Sequence, residues 1–134
     1  MKGKFIMEKS RILSVDDNPD NNEIIQEILS DDYEVRIAAS GEEALQIAPE
    51  FKPDLILLDI MMPGIDGYET CRRIKADSSL KDTTIIMVSA KDQVDDKVEG
   101  YEVGAFDYIT KPFTEEDLVN SIEFFLNKNT NSIA

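Results

Sequence analysis

The chain has 134 residues, 42% hydrophobic and 31% charged, which suits one soluble domain with its own core. Its net charge of −14, from 28 acidic and 14 basic residues, opposes attraction to nucleic-acid phosphates, so direct nucleic-acid binding is not expected. The absence of histidine excludes histidine acid–base chemistry within this chain, and a single cysteine, Cys71, excludes an internal disulfide framework or a thiolate zinc cluster.

No apolar run is long enough to insert in a membrane. The basic start Met1-Lys2-Gly3-Lys4-Phe5-Ile6-Met7 lacks the apolar core of a signal peptide, so a cytoplasmic location is the default. Arg11-Ile12-Leu13-Ser14-Val15 reads as a first strand that ends in Asp16-Asp17. Asn18-Pro19 then caps and opens a helix whose apolar stripe is Ile24, Ile25, Ile28 and Leu29. Residues 33–39 alternate as a half-buried second strand would. Ser40-Gly41-Glu42-Glu43 has capping-box form and starts a short helix through Ala44, Leu45 and Ala48.

Leu55-Ile56-Leu57-Leu58 is too short and too apolar for a free-standing helix and reads as a strand buried on both faces. It runs into Asp59. Asp66-Gly67-Tyr68-Glu69 is a second capping-box pattern, opening a helix with Tyr68, Cys71 and Ile74 on one side. Cys71 lies on that stripe, which favours packing over reactivity. Residues 84–88 form a fourth strand that stops at Ser89-Ala90. A helix from about Asp92 carries Val94, Val98 and Tyr101, with Gly100 and Gly104 at its end. Residues 106–109 make a fifth strand, stopping at Thr110-Lys111-Pro112, and Thr114 caps a last helix containing Leu118, Val119, Ile122, Phe125 and Leu126.

Five β-α repeats predict an α/β domain over 11–127, with an extension at 1–10 and a loose tail at 128–134. Right-handed crossovers make a doubly wound, flavodoxin-like (βα)5 parallel sheet in the order 2-1-3-4-5 the natural arrangement. The first and third strands are then neighbours at the switch point, where such sheets bind ligands. Asp16-Asp17 and Asp59 meet there.

Taken singly, each residue has an ordinary explanation. Asp59 could open a turn before Pro63-Gly64, Asp16-Asp17 could cap a helix, and Lys111 could be one more solvated lysine. Together they form a chemical set. Three converging carboxylates resist ionising unless a cation relieves the conflict, and oxygen-only ligands favour magnesium or manganese over zinc. Ser89 and Lys111 bring a hydroxyl and an ammonium to the same rim, a cradle for phosphoryl oxygens. A carboxylate left free to attack phosphorus would form an aspartyl phosphate.

Asp16-Asp17, Asp59 with Met61-Met62-Pro63-Gly64-Ile65-Asp66-Gly67, Ser89-Ala90 and Lys111-Pro112-Phe113 resemble, in that order, a response-regulator receiver domain. The resemblance spans about residues 11–126. It implies that Asp59 is the phosphoacceptor, that Asp16, Asp17, Asp59 and the Met61 backbone carbonyl hold Mg2+ (or Mn2+), and that Ser89 and Lys111 hold the phosphoryl oxygens. It further implies that Tyr108 reorients when Ser89 moves and that the Lys111–Pro112 bond is cis. The donor would be a phosphohistidine on a histidine kinase or histidine phosphotransfer protein outside these residues. Ser89 stands where threonine is common and retains the hydroxyl; Ala90 is small and leaves the site open.

The resemblance implies a phosphorylation-activated signalling switch, not a turnover enzyme, acting through changed docking to a downstream protein effector. A face near Tyr101, Tyr108 and Phe113 could pair two copies on phosphorylation; otherwise the chain is a monomer. Two alternatives remain open here. A receiver-like interaction module would need no phosphorylation or metal. A magnesium phosphohydrolase would need an acid two residues after Asp59, where Met61 stands. Flavin binding is disfavoured because Asp16-Asp17-Asn18-Pro19-Asp20 would repel a phosphate. The start could be Met1 or Met7. No output domain follows the last helix in this sequence, so a complete chain would signal by docking, to an effector or onward in a phosphorelay, whereas a piece of a longer protein could govern an attached domain.

Overall fold

The computed structural model describes residues 9–90 and 102–131. In chain order these form β1 (Arg11–Val15), α1 (Pro19–Leu29), β2 (Glu34–Ala38), α2 (Gly41–Phe51), β3 (Leu55–Asp59), α3 (Gly67–Ala76), a 3-10 turn (Ser78–Leu80), β4 (Thr84–Ser89), β5 (Asp107–Thr110) and α4 (Glu115–Asn131). The helix expected from about Asp92, with Val94, Val98, Gly100 and Tyr101, lies outside the described residues, as does most of the extension at 1–10. All strands pair in parallel in the order β2-β1-β3-β4-β5, the flavodoxin-like doubly wound arrangement expected.

Local chemistry sets the helix starts. Asn18 accepts from the Asp20 N–H with Pro19 at the first helical position, Ser40 accepts from the Glu43 N–H at 3.0 Å, and Asp66 accepts from the Glu69 N–H at 2.9 Å. The Thr114 hydroxyl accepts from the Asp117 N–H at 3.0 Å ahead of α4. The reciprocal half of a capping box is not made in α3. Glu69 instead pairs with Arg72 and Arg73 on its own helix, at 2.7 and 2.8 Å, because both guanidinium groups lie within one turn of it.

Two apolar layers sandwich the sheet. On one face Leu13, Val15, Ile56, Leu58, Ile85 and Met87 pack with Ala44, Ala48 and Phe51 of α2 and with Tyr68, Cys71 and Ile74 of α3. On the other, Ile12, Leu55, Leu57, Ile86 and Val88 meet Ile25 and Leu29 of α1 and Leu118 and Ile122 of α4. β3 therefore sends alternate side chains to both layers, and every one of its residues is buried. Cys71 is buried in this packing, as its place on the stripe suggested.

Four expectations change. Ile24 of the α1 stripe is exposed, because the inward face is shared by Asn22, Ile25 and Leu29 at one-turn spacing. β2 is one of the two edge strands; it is shorter than 33–39, and Ile37 on it is exposed. α2 runs on through Pro49 to Phe51 because Phe51 anchors its end in the core. α4 continues through Asn131, so 128–131 of the expected loose tail are helical; no glycine or proline interrupts that stretch.

The turn after β3 is closed by a tight approach. The Gly67 N–H donates to the Ile60 carbonyl at 2.9 Å, and a Cβ on Gly67 would meet the Asp59 carbonyl oxygen at 2.5 Å and the Ile60 Cα at 2.8 Å. Backbone atoms cannot move aside cheaply. Gly67→Ala is expected to lower unfolding stability by about 1–3 kcal/mol, the usual cost of overpacking, read as a shift in urea midpoint without a change in slope. An unchanged midpoint would show that this turn tolerates the methyl group.

Candidate functional site

β1 and β3 lie side by side, with Val15 paired to Leu58, so Asp16, just after β1, and Asp59, the last residue of β3, stand together at the same end of the sheet. From there the chain turns to opposite faces, leaving a crevice. Asp16 and Asp59 enter it buried, at 4% and 6% exposure, while Asp17 is exposed. Asp16, Asp17 and Asp59 each offer a carboxylate oxygen, and these oxygens all lie within 4.8 Å of one another.

The other two strand ends complete the rim. Lys111 follows β5, and its Nζ donates to Asp16 Oδ2 at 3.0 Å and to Asp59 Oδ1 at 3.3 Å. Its backbone N–H donates to the Ser89 carbonyl at 2.6 Å, joining the ends of β4 and β5. Ser89 itself is buried, and Ala90 beyond it is exposed. Tyr108 is half-buried in β5 and packs against the layer that contains α2 and α3. The Met61 side chain is 62% exposed. The Lys111–Pro112 bond is cis, as the sequence resemblance implied.

Burial is the main reason that the Asp59 pKa is raised, to about 6, followed by repulsion from Asp16 and, more weakly, from Asp17; Lys111 pulls the other way. For Lys111, burial disfavours the ammonium, but hydrogen bonding and attraction to Asp16 and Asp59 outweigh it and leave its pKa above the usual lysine value. A single ammonium thus offsets only part of three negative charges. The donor set is oxygen-only, which fits a small hard divalent cation such as magnesium and not zinc.

Several residues at the site were not singled out from sequence. The Asn18 N–H donates to Asp16 Oδ1 at 2.9 Å and Asn21 Nδ2 to Asp16 Oδ2 at 3.2 Å. Asn22 is buried and donates to the backbone carbonyl of Asp16 at 2.9 Å. Its signal was available: Asn22 is a polar residue three before Ile25, on the inward stripe of α1. Glu42 reaches from α2 to the turn after β3, accepting from the Ile65 N–H at 3.2 Å.

Stability and pH are linked through Asp59. Its folded pKa exceeds its unfolded value, so its contribution is full below about pH 4 and is lost as pH rises through about 6. In metal-free protein, Asp59→Asn is therefore expected to match wild type near pH 4 and to become the more stable of the two by pH 7. The difference is on the order of 1–3 kcal/mol, from 1.36 kcal/mol per pKa unit. Parallel urea titrations of both proteins across this pH range would check it; a wild type more stable than the mutant at pH 7 would contradict it.

Comparison with known proteins agrees with this geometry. The response regulator receiver domain family matches residues 12–123. The phosphate regulon transcriptional regulatory protein PhoB of Pseudomonas aeruginosa is 44% identical over 118 residues, covering 87% of this chain and 52% of that protein. This chain spans about half the length of the regulators it matches. A CheY-like receiver domain protein from Methanospirillum hungatei superposes with a TM-score of 0.85 at 31% identity, covering 93% of this chain and 99% of that one. A BeF3-activated DrrB receiver domain superposes at 0.82 with 32% identity, covering 90% and 99%. Receiver domains are phosphoacceptors that work with histidine kinases, and by sequence, fold and acidic cluster this chain belongs to the response-regulator receiver family.

Proposed function

We propose that Asp59 is the phosphoacceptor of this receiver domain and that Asp16, Asp17, Ser89 and Lys111 serve its phosphorylation. The observation that carries this reading is Lys111 Nζ within hydrogen-bond reach of both Asp16 and Asp59, across the mouth of the β1–β3 crevice. An Asp59 carboxylate oxygen attacks phosphorus in line with the bond to the donor. The new O–P bond forms as the donor's bond to phosphorus breaks, and the leaving group keeps that electron pair. For a phosphohistidine donor the leaving group is the imidazole nitrogen, which must come from another polypeptide or from residues beyond these 134.

Magnesium, held by Asp16, Asp17, Asp59 and the Met61 carbonyl, would neutralise the carboxylates and the charge on the phosphoryl oxygens. The chain's own groups do the rest. Burial excludes water from Asp59, Lys111 moves its ammonium onto the incoming oxygens, and the Ser89 hydroxyl donates to another. Movement of Ser89 is then followed by Tyr108, shifting a pre-existing equilibrium at the surface that includes β5 and α4.

Partners follow from the surfaces beside the site. Ile24, Ile25, Ala90, Pro112 and Phe113 line an apolar groove that reaches Lys111, and the phosphodonor protein would dock there. The downstream effector, or a second copy, would read the face carrying Tyr108, Phe113 and the exposed Phe124. The net charge of −14 makes this chain a poor DNA ligand by itself. Among the described residues no helix is long and apolar enough to cross a membrane. A cytoplasmic location belongs to the same reading.

Intact-protein mass after incubation with a small acyl-phosphate donor tests the proposal. Wild type is expected to gain one phosphoryl group in the presence of magnesium and none after chelation. Asp59→Asn should gain none. Lys111→Ala should label about 10²–10³-fold more slowly, the loss typical of removing one transition-state donor. Equal labelling of wild type and Asp59→Asn would sink the assignment.

A further inference from the structure

Asn22 lies in α1 with 2% of its surface exposed, and every polar atom of its side chain is engaged. Its Oδ1 accepts from the Ser14 hydroxyl at 2.8 Å. Its Nδ2 donates to the carbonyl of Asp16 at 2.9 Å and to that of Ala38 at 3.2 Å. The Ala38 carbonyl also accepts from the Asp16 N–H at 3.1 Å. One side chain thus ties α1 to the ends of β1 and β2 at the residue that carries a site carboxylate.

The consequence is mechanical. Asp16 is the point where β1 leaves the sheet, and its carboxylate faces a like charge on Asp59. Asp16 is held at its N–H by Ala38 and at its carbonyl by Asn22, so its backbone is clamped on both sides. Asn18, Asn21 and Lys111 then need only set the side-chain torsions. A cation binding an already ordered carboxylate loses less freedom of the chain than one that must order it.

We propose that Asn22 is a positioning residue for the divalent-cation site, acting on the Asp16 carboxylate through the Asp16 carbonyl. The inference rests on the reading above that Asp16 holds the cation. The competing explanation is that Asn22 only satisfies buried polar groups in the core. Ser14 separates the two, because Ser14→Ala removes a bond to the same amide but leaves both carbonyl contacts in place.

The test is calorimetric titration of Mg2+ into the full chain, as wild type, Ser14→Ala, Asn22→Ala and Asn22→Ser, with thermal unfolding of each. Both Ser14→Ala and Asn22→Ala are expected to melt lower. Only the Asn22 variants should bind Mg2+ more weakly, tenfold to a hundredfold for alanine, the range typical of groups that orient a metal ligand. Serine keeps one donor and is expected to lose less; it also serves if the alanine variant does not fold. Asn22 variants that bind like wild type, or a Ser14→Ala loss as large as theirs, would overturn the proposal. A wild type that binds no Mg2+ would instead remove the cation reading itself.

Discussion

Three carboxylates at one sheet switch point repel one another, and the surrounding structure can be read as the means of holding them there. The apolar side chains of β3 make this possible. Leu55, Ile56, Leu57 and Leu58 are buried on both faces of the sheet, at about 1.5–3 kcal/mol each. Burial of Asp59, with the repulsion from Asp16 added to it, raises the Asp59 pKa to about 6, a cost on the order of 3 kcal/mol at most. Hydrophobic burial wins comfortably, so the fold tolerates three acids gathered at this site.

Lys111 is arranged to leave that conflict incomplete. One ammonium bridges Asp16 and Asp59 but cannot balance three acids, so room for a further positive charge remains. The same ammonium is carried by the residue just after β5, whose N–H is bonded to Ser89 at the end of β4. Lys111 thus stands in contact with the site through its side chain and with the end of β4 through its backbone. Tyr108 lies three residues before it, half-buried in β5. In the proposed switch this short path links chemistry at Asp59 to the outer face.

Most of the architecture could be read before the structure was known, because its signals are strong and local. The unbroken apolar run of β3, the caps at Asn18, Ser40, Asp66 and Thr114, and the acidic residues at strand ends point to one topology. What could not be read depends on contacts distant in sequence. Ile24 looked like core, but only the tilt of α1 on the sheet decides that Asn22 takes its place inside. Glu69 had a choice between its cap and two arginines, and a sequence does not state which geometry is nearer. The clamp of Asn22 on Asp16 and Ala38 joins three elements and has no linear signature beyond a polar residue on an apolar stripe. At the site, Asp16, Asp17, Asp59 and Lys111 were legible as a set, whereas the ammonium bridging two of the acids emerged only from the packed sheet.

The most direct test of the central claim is to locate the phosphoryl group chemically. Borohydride reduces an aspartyl phosphate to homoserine with release of phosphate, and peptide mass spectrometry then finds the converted residue. Conversion is expected at Asp59 and at no other carboxylate. Conversion at Asp16 or Asp17, or a phosphoryl group found on Ser89, would contradict it.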